Sequence, residues 1–470
     1  MSLPTMQTLA GGRWIGGDDW IDVFDPADVR EPYLRVPALT AERVTAIYAD
    51  AEAGFAVWRA TSAITRSAIL AKASALLRIR NAEIADAIVR ENGKSEVEAR
   101  VEAEKAADFF DYYAGAGRDG YGSLIHDVRP DTRTGYQREP LGVVLAVTPW
   151  NDPLITPARK LAPALAAGNA VVLKPASETP TSALYLARAL HDAGVPAGVV
   201  NVVTGRTAEI SDALLDDPRI AAVSFTGGNE VGEALRVRLA ARGVRFQSEL
   251  GGKNASVVLA GANLPKTVTA VVAAAFGQAG QRCTATSRLL VDRAVHDEFL
   301  PLLLAEIAKL RLGPLVSRAR QRDVVAHIDL AVKQGAVVAL GGTEVPGPGC
   351  HVEPTVLTGV TVDMDVWREE VFGPVLAVRV VDGLDEAITA VNDTRYGLAA
   401  AVFTDSLAAA HRFLAEVDCG QIAVNTTTSG WDVHQPFGGF RHSGSPFKEQ
   451  GPEAMRFYTK VKTFAIHFGS

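Results

Sequence analysis

Gly142-Val143-Val144-Leu145-Ala146-Val147-Thr148-Pro149-Trp150-Asn151 opens the part of the chain whose periodicity decides the fold. Gly142 to Val147 is a short apolar run that reads as a strand, Leu154 to Ala167 carries helical spacing, and Ala170 to Leu173 is again a strand. The alternation continues with a helix over Thr181 to Ala193, strands over Val199 to Val203 and Ile220 to Phe225, and a helix over Glu230 to Ala241. Strand-helix-strand units predict an α/β fold with a parallel sheet covered on both faces, because parallel neighbours need a crossover connection. Ligands of such sheets bind at the carboxyl ends of strands. The loops at 148–152, 174–180, 204–207 and 226–229 all fall there.

Upstream, Ala41 to Arg59, Ile64 to Asn92 and Ser95 to Ala116 read as three helices, with Gly93 as a C-cap. Ile125 to Arg138 alternates loosely around a Pro130-Asp131 turn and reads as a hairpin arm. Downstream, a second strand-helix set starts with a strand at Asn254 to Leu259, a helix at Thr267 to Phe276 and a strand at Ser287 to Val291. Helices at Phe299 to Leu310 and Asp323 to Lys333 and a strand at Val375 to Val380 follow, and Phe457 to Phe468 alternates like an edge strand. The expected division is a first α/β unit (1–117 and 137–248), a second α/β unit (249–450) and a small β arm for subunit pairing (118–136 and 451–470).

Composition sets the outer limits. The 470 residues are 48% apolar and 21% charged, enough for two or three globular domains. No apolar run approaches the ~20 residues of a membrane span, and Met1 to Gly17 lacks a basic start followed by an apolar core. A net charge of −7 argues against nucleic acid and anionic membrane as partners. Cysteines at 283, 350 and 419 are too few and too scattered for a disulfide framework, and no Cys/His cluster has metal-ligand spacing. A cytoplasmic protein without a metal is expected.

One stretch carries the chemistry: Phe276-Gly277-Gln278-Ala279-Gly280-Gln281-Arg282-Cys283-Thr284-Ala285-Thr286-Ser287-Arg288. It puts a thiol on a Gly-broken turn between a helix and a strand, with Arg282 beside it as a cation able to favour the thiolate. The plain alternative is a small buried apolar residue. Asn151 has an N-cap alternative, Glu249 a solvated turn alternative, and Glu370 with Phe372 a strand-end alternative.

Taken together, six segments resemble the NAD(P)-dependent aldehyde dehydrogenases: Pro149-Trp150-Asn151, Lys174-Pro175-Ala176, Phe225-Thr226-Gly227, Glu249-Leu250-Gly251-Gly252-Lys253, Gly280-Gln281-Arg282-Cys283 and Glu370-Val371-Phe372-Gly373-Pro374, in that order. The resemblance implies an aldehyde dehydrogenase-like fold, with 1–117 and 137–248 as a Rossmann-type dinucleotide-binding domain, 249–450 as an α/β catalytic domain and 118–136 with 451–470 as an oligomerisation arm of a homodimer or homotetramer, and Cys283 as the nucleophile. It implies an oxyanion held by Asn151 and the Cys283 backbone N–H, and Glu249 as the base that hydrolyses a thioester. It places Trp150, Lys174, Ser177, Gly205 and Gly228 along the dinucleotide and Glu370 with Phe372 at the nicotinamide ribose. Ser177 stands where NAD-specific members carry a glutamate; a serine does not repel a 2′-phosphate and Lys174 would attract one, so NADP use is favoured over NAD. Lys160 and Glu449 match positions linked to proton relay, with a surface ion pair as the alternative.

The segment from Ile155 to Gly168 resembles the succinate-semialdehyde branch, in which the arginine matching Arg159 holds the substrate carboxylate. A second carboxylate-binding arginine of that branch falls on Gly277, and Arg282 is the candidate to replace it. Asp432 to Phe437 and Lys448 to Gly451 look like dehydrogenases of 2-oxoglutarate semialdehyde, with Trp431 and His434 as candidate pocket lining. The expected substrate is a small aldehyde with an anionic far end. Two alternatives remain: a CoA-acylating enzyme, against which Glu249 argues, and a non-catalytic binding protein on the same scaffold.

Overall fold

The computed structural model describes residues 3–119 and 122–469; the expected arm's residues 120–121 and the termini 1–2 and 470 lie outside the described residues. A five-stranded parallel sheet has the order Arg245–Glu249, Ile220–Thr226, Val143–Val147, Ala170–Lys174, Val200–Val202. Its first strand in sequence lies in the middle. The chain builds outward on one side, then crosses back to build on the other. That reversal lies between Val143–Val147 and Ile220–Thr226, so the loops leaving these two strands diverge and open a crevice.

Side-chain alternation along these strands divides the core into two layers. Val144, Ala146, Val171 and Leu173 face a layer built with Trp58, Leu161, Leu165 and Leu184. Val143, Leu145, Val172 and Val223 face the opposite layer, with Val44, Ile47, Tyr48 and Leu239. Burying each Val or Leu contributes about 1.5–3 kcal/mol, so the two layers fix the register of the sheet firmly. The buried Trp58 indole is satisfied by the Leu165 carbonyl at 2.9 Å.

A seven-stranded sheet follows the order Val337–Leu340, Thr355–Thr358, Val375–Val381, Thr286–Asp292, Asn254–Val258, Ala399–Phe403, Gln421–Val424, parallel except at its first pair. The chain passes from Glu249, the last residue of one sheet, through 250–253 to Asn254, the first residue of the next strand. The carboxyl ends of the first sheet thereby meet the amino ends of the second. Both the expected nucleophile loop before Thr286 and the Glu370-Val371-Phe372 segment before Val375 lie on that seam.

Three expectations need correction. The stretch 64–92 is two helices, Ala63–Ile79 and Asn81–Asn92, separated at Arg80 (φ −95°, ψ 10°), whose guanidinium reaches Asp192 at 2.5 Å. The arm hairpin exists, but its strand Thr132–Pro140 runs past the expected boundary at 136 and pairs along its whole length with Thr459–His467. Residues 451–457 form a helix whose Ala454, Met455 and Phe457 pack into the core of the first sheet, so this part of the expected arm belongs to the body. Sequence periodicity also missed the short N-terminal strands, Thr8–Ala10 to Asp28–Pro37, and the edge strand Arg245–Glu249.

Candidate active site

Helix Leu264–Phe276 is followed by a single tight turn, Gly277–Gly280, in which Gln278 and Ala279 have φ of 51° and 54°. Left-handed backbone at successive non-glycine residues is costly and persists only where the surroundings impose it. Here Glu98 Oε1 accepts the Gln278 N–H at 2.9 Å, and Gln278 Nε2 donates to Asp152 Oδ1 at 3.1 Å. Beyond the turn, Asn254 Nδ2 donates to the carbonyls of Cys283 (2.7 Å) and Ala285 (2.9 Å), while its Oδ1 accepts the Ala399 N–H at 2.9 Å. Cys283 is thus presented by a loop tied at both ends to other elements.

The partly exposed Cys283 lines two cavities. The first, about 240 Å³, is walled by Trp150, Asn151, Thr226, Gly228, Glu249, Glu370 and Phe372 at the crevice of the five-stranded sheet. The second, about 350 Å³, is walled by Lys105, Phe109, Arg159, Gln278, Arg282 and Trp431. Asp152, Arg159 and Phe437 border both. The sulfur, amide and carboxylate that lie far apart in sequence therefore share one wall. Asn151 does not cap the following helix: the N–H groups of Leu154 and Ile155 donate to Glu102 Oε1 at 2.9 and 3.2 Å.

Charge in the site follows burial. Burial, then the charge of Asp152, pushes the Cys283 thiol up to about 12, against the pull of Arg159. Glu249 is 2% exposed, not a solvated turn residue; burial and then Glu449 raise its carboxyl well above the usual range. Its Oε1 is 3.5 Å from Gln247 Nε2, and its Oε2 has no hydrogen-bond partner among the described residues. A Cβ at Gly438 would stand 2.4 Å from Oε1, so that glycine is what admits the carboxylate. From Gln247 a chain runs inward: Ser224 Oγ donates to Gln247 Oε1 (2.6 Å), Lys160 Nζ donates to Ser224 Oγ (2.9 Å) and also to Glu449 Oε1. Lys160 and Glu449 are 1% and 4% exposed, so their pair is internal rather than on the surface.

A nicotinamide dinucleotide fits the first cavity on chemical grounds. Trp150 and Phe372 stand edge to face with centroids 5.3 Å apart, and Glu370 Oε1 accepts the Gly252 N–H at 2.9 Å. Burial pushes Glu370 up to about 7. The hydroxyls of Thr148, Thr204 and Thr226, each just past or at a strand's carboxyl end, are buried and unpartnered, as groups awaiting a polar ligand would be. Lys174 ends its strand, donates to the Pro175 carbonyl at 2.7 Å and is lowered by burial to about 8. Lys174, Ser177 and Gly205 lie at neighbouring strand ends but outside the cavity wall. Trp431 lines the second cavity; His434 is exposed beside Asp432 and lines neither.

Sequence reasoning missed the support of the second cavity. Lys94 Nζ donates to Asp152 Oδ1 at 2.9 Å and to Glu102, with Lys94 and Glu102 nearly inaccessible. Burial opposes the Lys94 charge, but Asp152 and Glu102 outweigh it and raise its pKa. Asp152 is held down to about 2 despite burial, by Lys94 first and Arg282 next. Only the helical spacing of 95–116 and the Asn151-Asp152 adjacency hinted at this, and neither names a partner. Arg320, a wall residue of the first cavity that donates to the Val371 carbonyl at 2.8 Å, had no sequence signal.

Comparison with known proteins identifies the family and the fold. The model of the aldehyde dehydrogenase family matches residues 14–464. A 2,5-dioxopentanoate dehydrogenase of Saccharolobus solfataricus is 39% identical over 96% of this chain and 97% of its own length. An NAD-dependent aldehyde dehydrogenase from Sinorhizobium meliloti superposes with a TM-score of 0.97 at 31% identity, covering 100% of this chain and 96% of that one. An NADP-dependent enzyme of E. coli superposes with a TM-score of 0.96 at 34% identity, covering 99% and 98%.

Proposed function

The chain belongs to the aldehyde dehydrogenase family, and from that premise we propose that it oxidises a small carboxylate-bearing semialdehyde to the acid with NAD(P) as oxidant. The observation that carries this reading is the meeting of Cys283, Asn151 and Glu249 on one cavity wall at the seam of the two sheets.

Cys283 Sγ attacks the aldehyde carbon once its proton has left, and forms a thiohemiacetal. Burial and Asp152 raise the thiol and Arg159 pulls the other way, so Arg159 is the charge that favours the attacking thiolate. The Asn151 amide and the Cys283 N–H hold the developing oxyanion. A bound NAD(P) would supply the hydride acceptor, and collapse of the tetrahedral oxyanion would then leave a thioester on Cys283. Glu249 then draws a proton from water, which adds to the thioester and releases the acid and the thiol. The Lys160, Ser224 and Gln247 chain donates step by step toward Glu249 Oε1, so it orients that carboxylate and ties it to the buried Lys160–Glu449 pair. Trp150, Glu370 and Phe372 would hold the nicotinamide half of the cofactor; Gly228, Gly205, Lys174 and Ser177 would line the rest.

An anionic substrate is supported by the charge of the second cavity. Lys105, Arg159 and Arg282 border it, whereas its one carboxylate, Asp152, is already bound by Lys94 and Gln278. The relative from Saccharolobus solfataricus is named for such a substrate. NADP use is supported by Ser177 beside Lys174. The homodimer or homotetramer rests on the three-stranded arm, whose exposed Val461 and Ile466 are each 54% accessible. A panel of C4 and C5 semialdehydes against uncharged aldehydes of equal length, with each cofactor, tests the reading. Acidic substrates and NADP should give the highest kcat/KM, with acid and reduced cofactor formed one to one. Acyl-CoA appearing when CoA is added would replace water by a thiol as acceptor and overturn the hydrolytic step.

A further inference from the structure

Two features of the second cavity, Gly277 and Arg282, are one device. The Gly277 backbone is ordinary (φ −54°, ψ 136°), so nothing in its conformation demands glycine. What a side chain there would meet is the Arg282 guanidinium: an ideal Cβ at 277 lies 3.0 Å from Nη1 and 3.5 Å from Cζ. The Arg282 guanidinium occupies the volume that a side chain at 277 would otherwise fill. It borders the cavity that Cys283 opens into, and it makes no hydrogen bond or ion pair with a side chain among the described residues.

Arg159 is differently placed. Its Nη1 stands 3.7 Å from Glu449 Oε2, and its Cζ lies 4.7 Å over the Phe437 ring and 5.7 Å from the centre of Phe109. Lys105 is likewise paired, with Asp432. Of the three cations that line the cavity, Arg282 alone has no ion pair among the described residues, while Arg159 keeps a buried Nε without a hydrogen-bond partner there. A guanidinium presents a planar pair of donors suited to a carboxylate, and a charge-assisted bidentate pair is the strongest polar contact a small acidic ligand can make.

We infer that Arg282, seated in the space left by Gly277, is the group that binds the distal carboxylate of the substrate, with Arg159 and Lys105 supplying background positive charge. This rests on the semialdehyde reading above.

The test is the ratio of kcat/KM for an acidic semialdehyde to that for an uncharged aldehyde of equal length, at saturating NAD(P). Losing one charge-assisted pair in Arg282→Gln lowers the ratio about 10- to 100-fold, chiefly through KM for the acid, and Arg282→Lys recovers part of it. Gly277→Leu, which fills the seat, lowers the ratio similarly, and the double variant falls no further than either single one. Protection of Cys283 from iodoacetamide by glutarate gives a reading free of turnover: present in the wild type, lost in Arg282→Gln. An unchanged ratio with protection intact in Arg282→Gln, or additive losses in the double variant, overturns the inference while leaving the semialdehyde reading standing. A wild type that shows no preference for the acid overturns both.

Discussion

The two cavities that meet at Cys283 are made in different ways. The first is a product of topology: the strand order reverses between Val143–Val147 and Ile220–Thr226, the two loops part, and a crevice with buried hydroxyls follows. The second owes nothing to a sheet. It lies between helices Glu96–Ala116 and Ile155–Ala167 and the 429–437 loop, and its floor is held by Lys94, Glu102, Asp152 and Gln278 through side-chain contacts. A crevice fixed by sheet register serves a common cofactor. A cavity fixed by side chains is free to vary, and substrate choice can change there without disturbing the sheets.

The largest effect should come from the group both cavities share. Cys283→Ala should lower NAD(P)H formation by about 10⁴-fold or more while cofactor titration stays normal; retained turnover would sever the chemistry from the cysteine. Glu249→Gln should leave a rapid burst of reduced cofactor and cut steady turnover by about 10²- to 10⁴-fold. Because its carboxyl is raised above the ordinary range and acts when deprotonated, wild-type turnover should rise with pH through that raised pKa. The variant should lack this limb; equal loss of burst and turnover would remove Glu249 from deacylation.

Lys94→Met probes the side-chain-built floor. It strands Glu102 and Asp152 without their cation, and breaking a buried pair of this kind costs about 3–5 kcal/mol. Urea unfolding should show that loss, and the same substitution should loosen the Gln278 turn and speed alkylation of Cys283. A neutral result would mean that the loop is held by backbone alone. Asn151→Ala, on the topological side, should leave stability within about 0.5 kcal/mol and lower kcat by about 10²- to 10³-fold, the loss expected for one oxyanion donor. A change in KM alone would assign the amide to substrate binding.

This contrast also explains what the sequence made legible. Short apolar runs such as Val143–Val147 and the loops after them could be read because a sheet covered on both faces imposes both the run and the place of its ligand. Cys283, Asn151 and Glu249 were legible only as members of the six-segment set that resembles a family, because singly Asn151 reads as a helix N-cap, Glu249 as a turn residue and Cys283 as a small buried one. Lys94 gave no such signal: its partners are 8 and 58 positions away, and pairing at that distance leaves no periodic trace. The same holds for Ser224 and Gln247, ordinary strand residues until the neighbouring strands align them in register. The helix break at Arg80 was hidden because both flanking segments keep helical spacing, and only the reach to Asp192 marks the turn.

Ser177→Glu sets the smallest effect and changes a strand end that lies beyond the wall of the first cavity. Ser177 is half-buried at the end of Ala170–Lys174, three residues after Lys174, and its hydroxyl neither repels nor attracts an anion strongly. A carboxylate there accepts hydrogen bonds from ribose hydroxyls and opposes a 2′-phosphate, while Lys174, about 8 in pKa and so still largely charged at neutral pH, works the other way. The ratio of kcat/KM for NADP to that for NAD should therefore fall about tenfold or more, one pKa-sized electrostatic contrast of 1.4 kcal/mol, carried by KM rather than kcat. Discrimination between acidic and uncharged aldehydes should not move, because that choice is made across Cys283 by Arg282, which does not line the crevice. A shift in both ratios would mean that the two cavities are coupled through the nucleophile loop, and the division drawn between them would have to be given up.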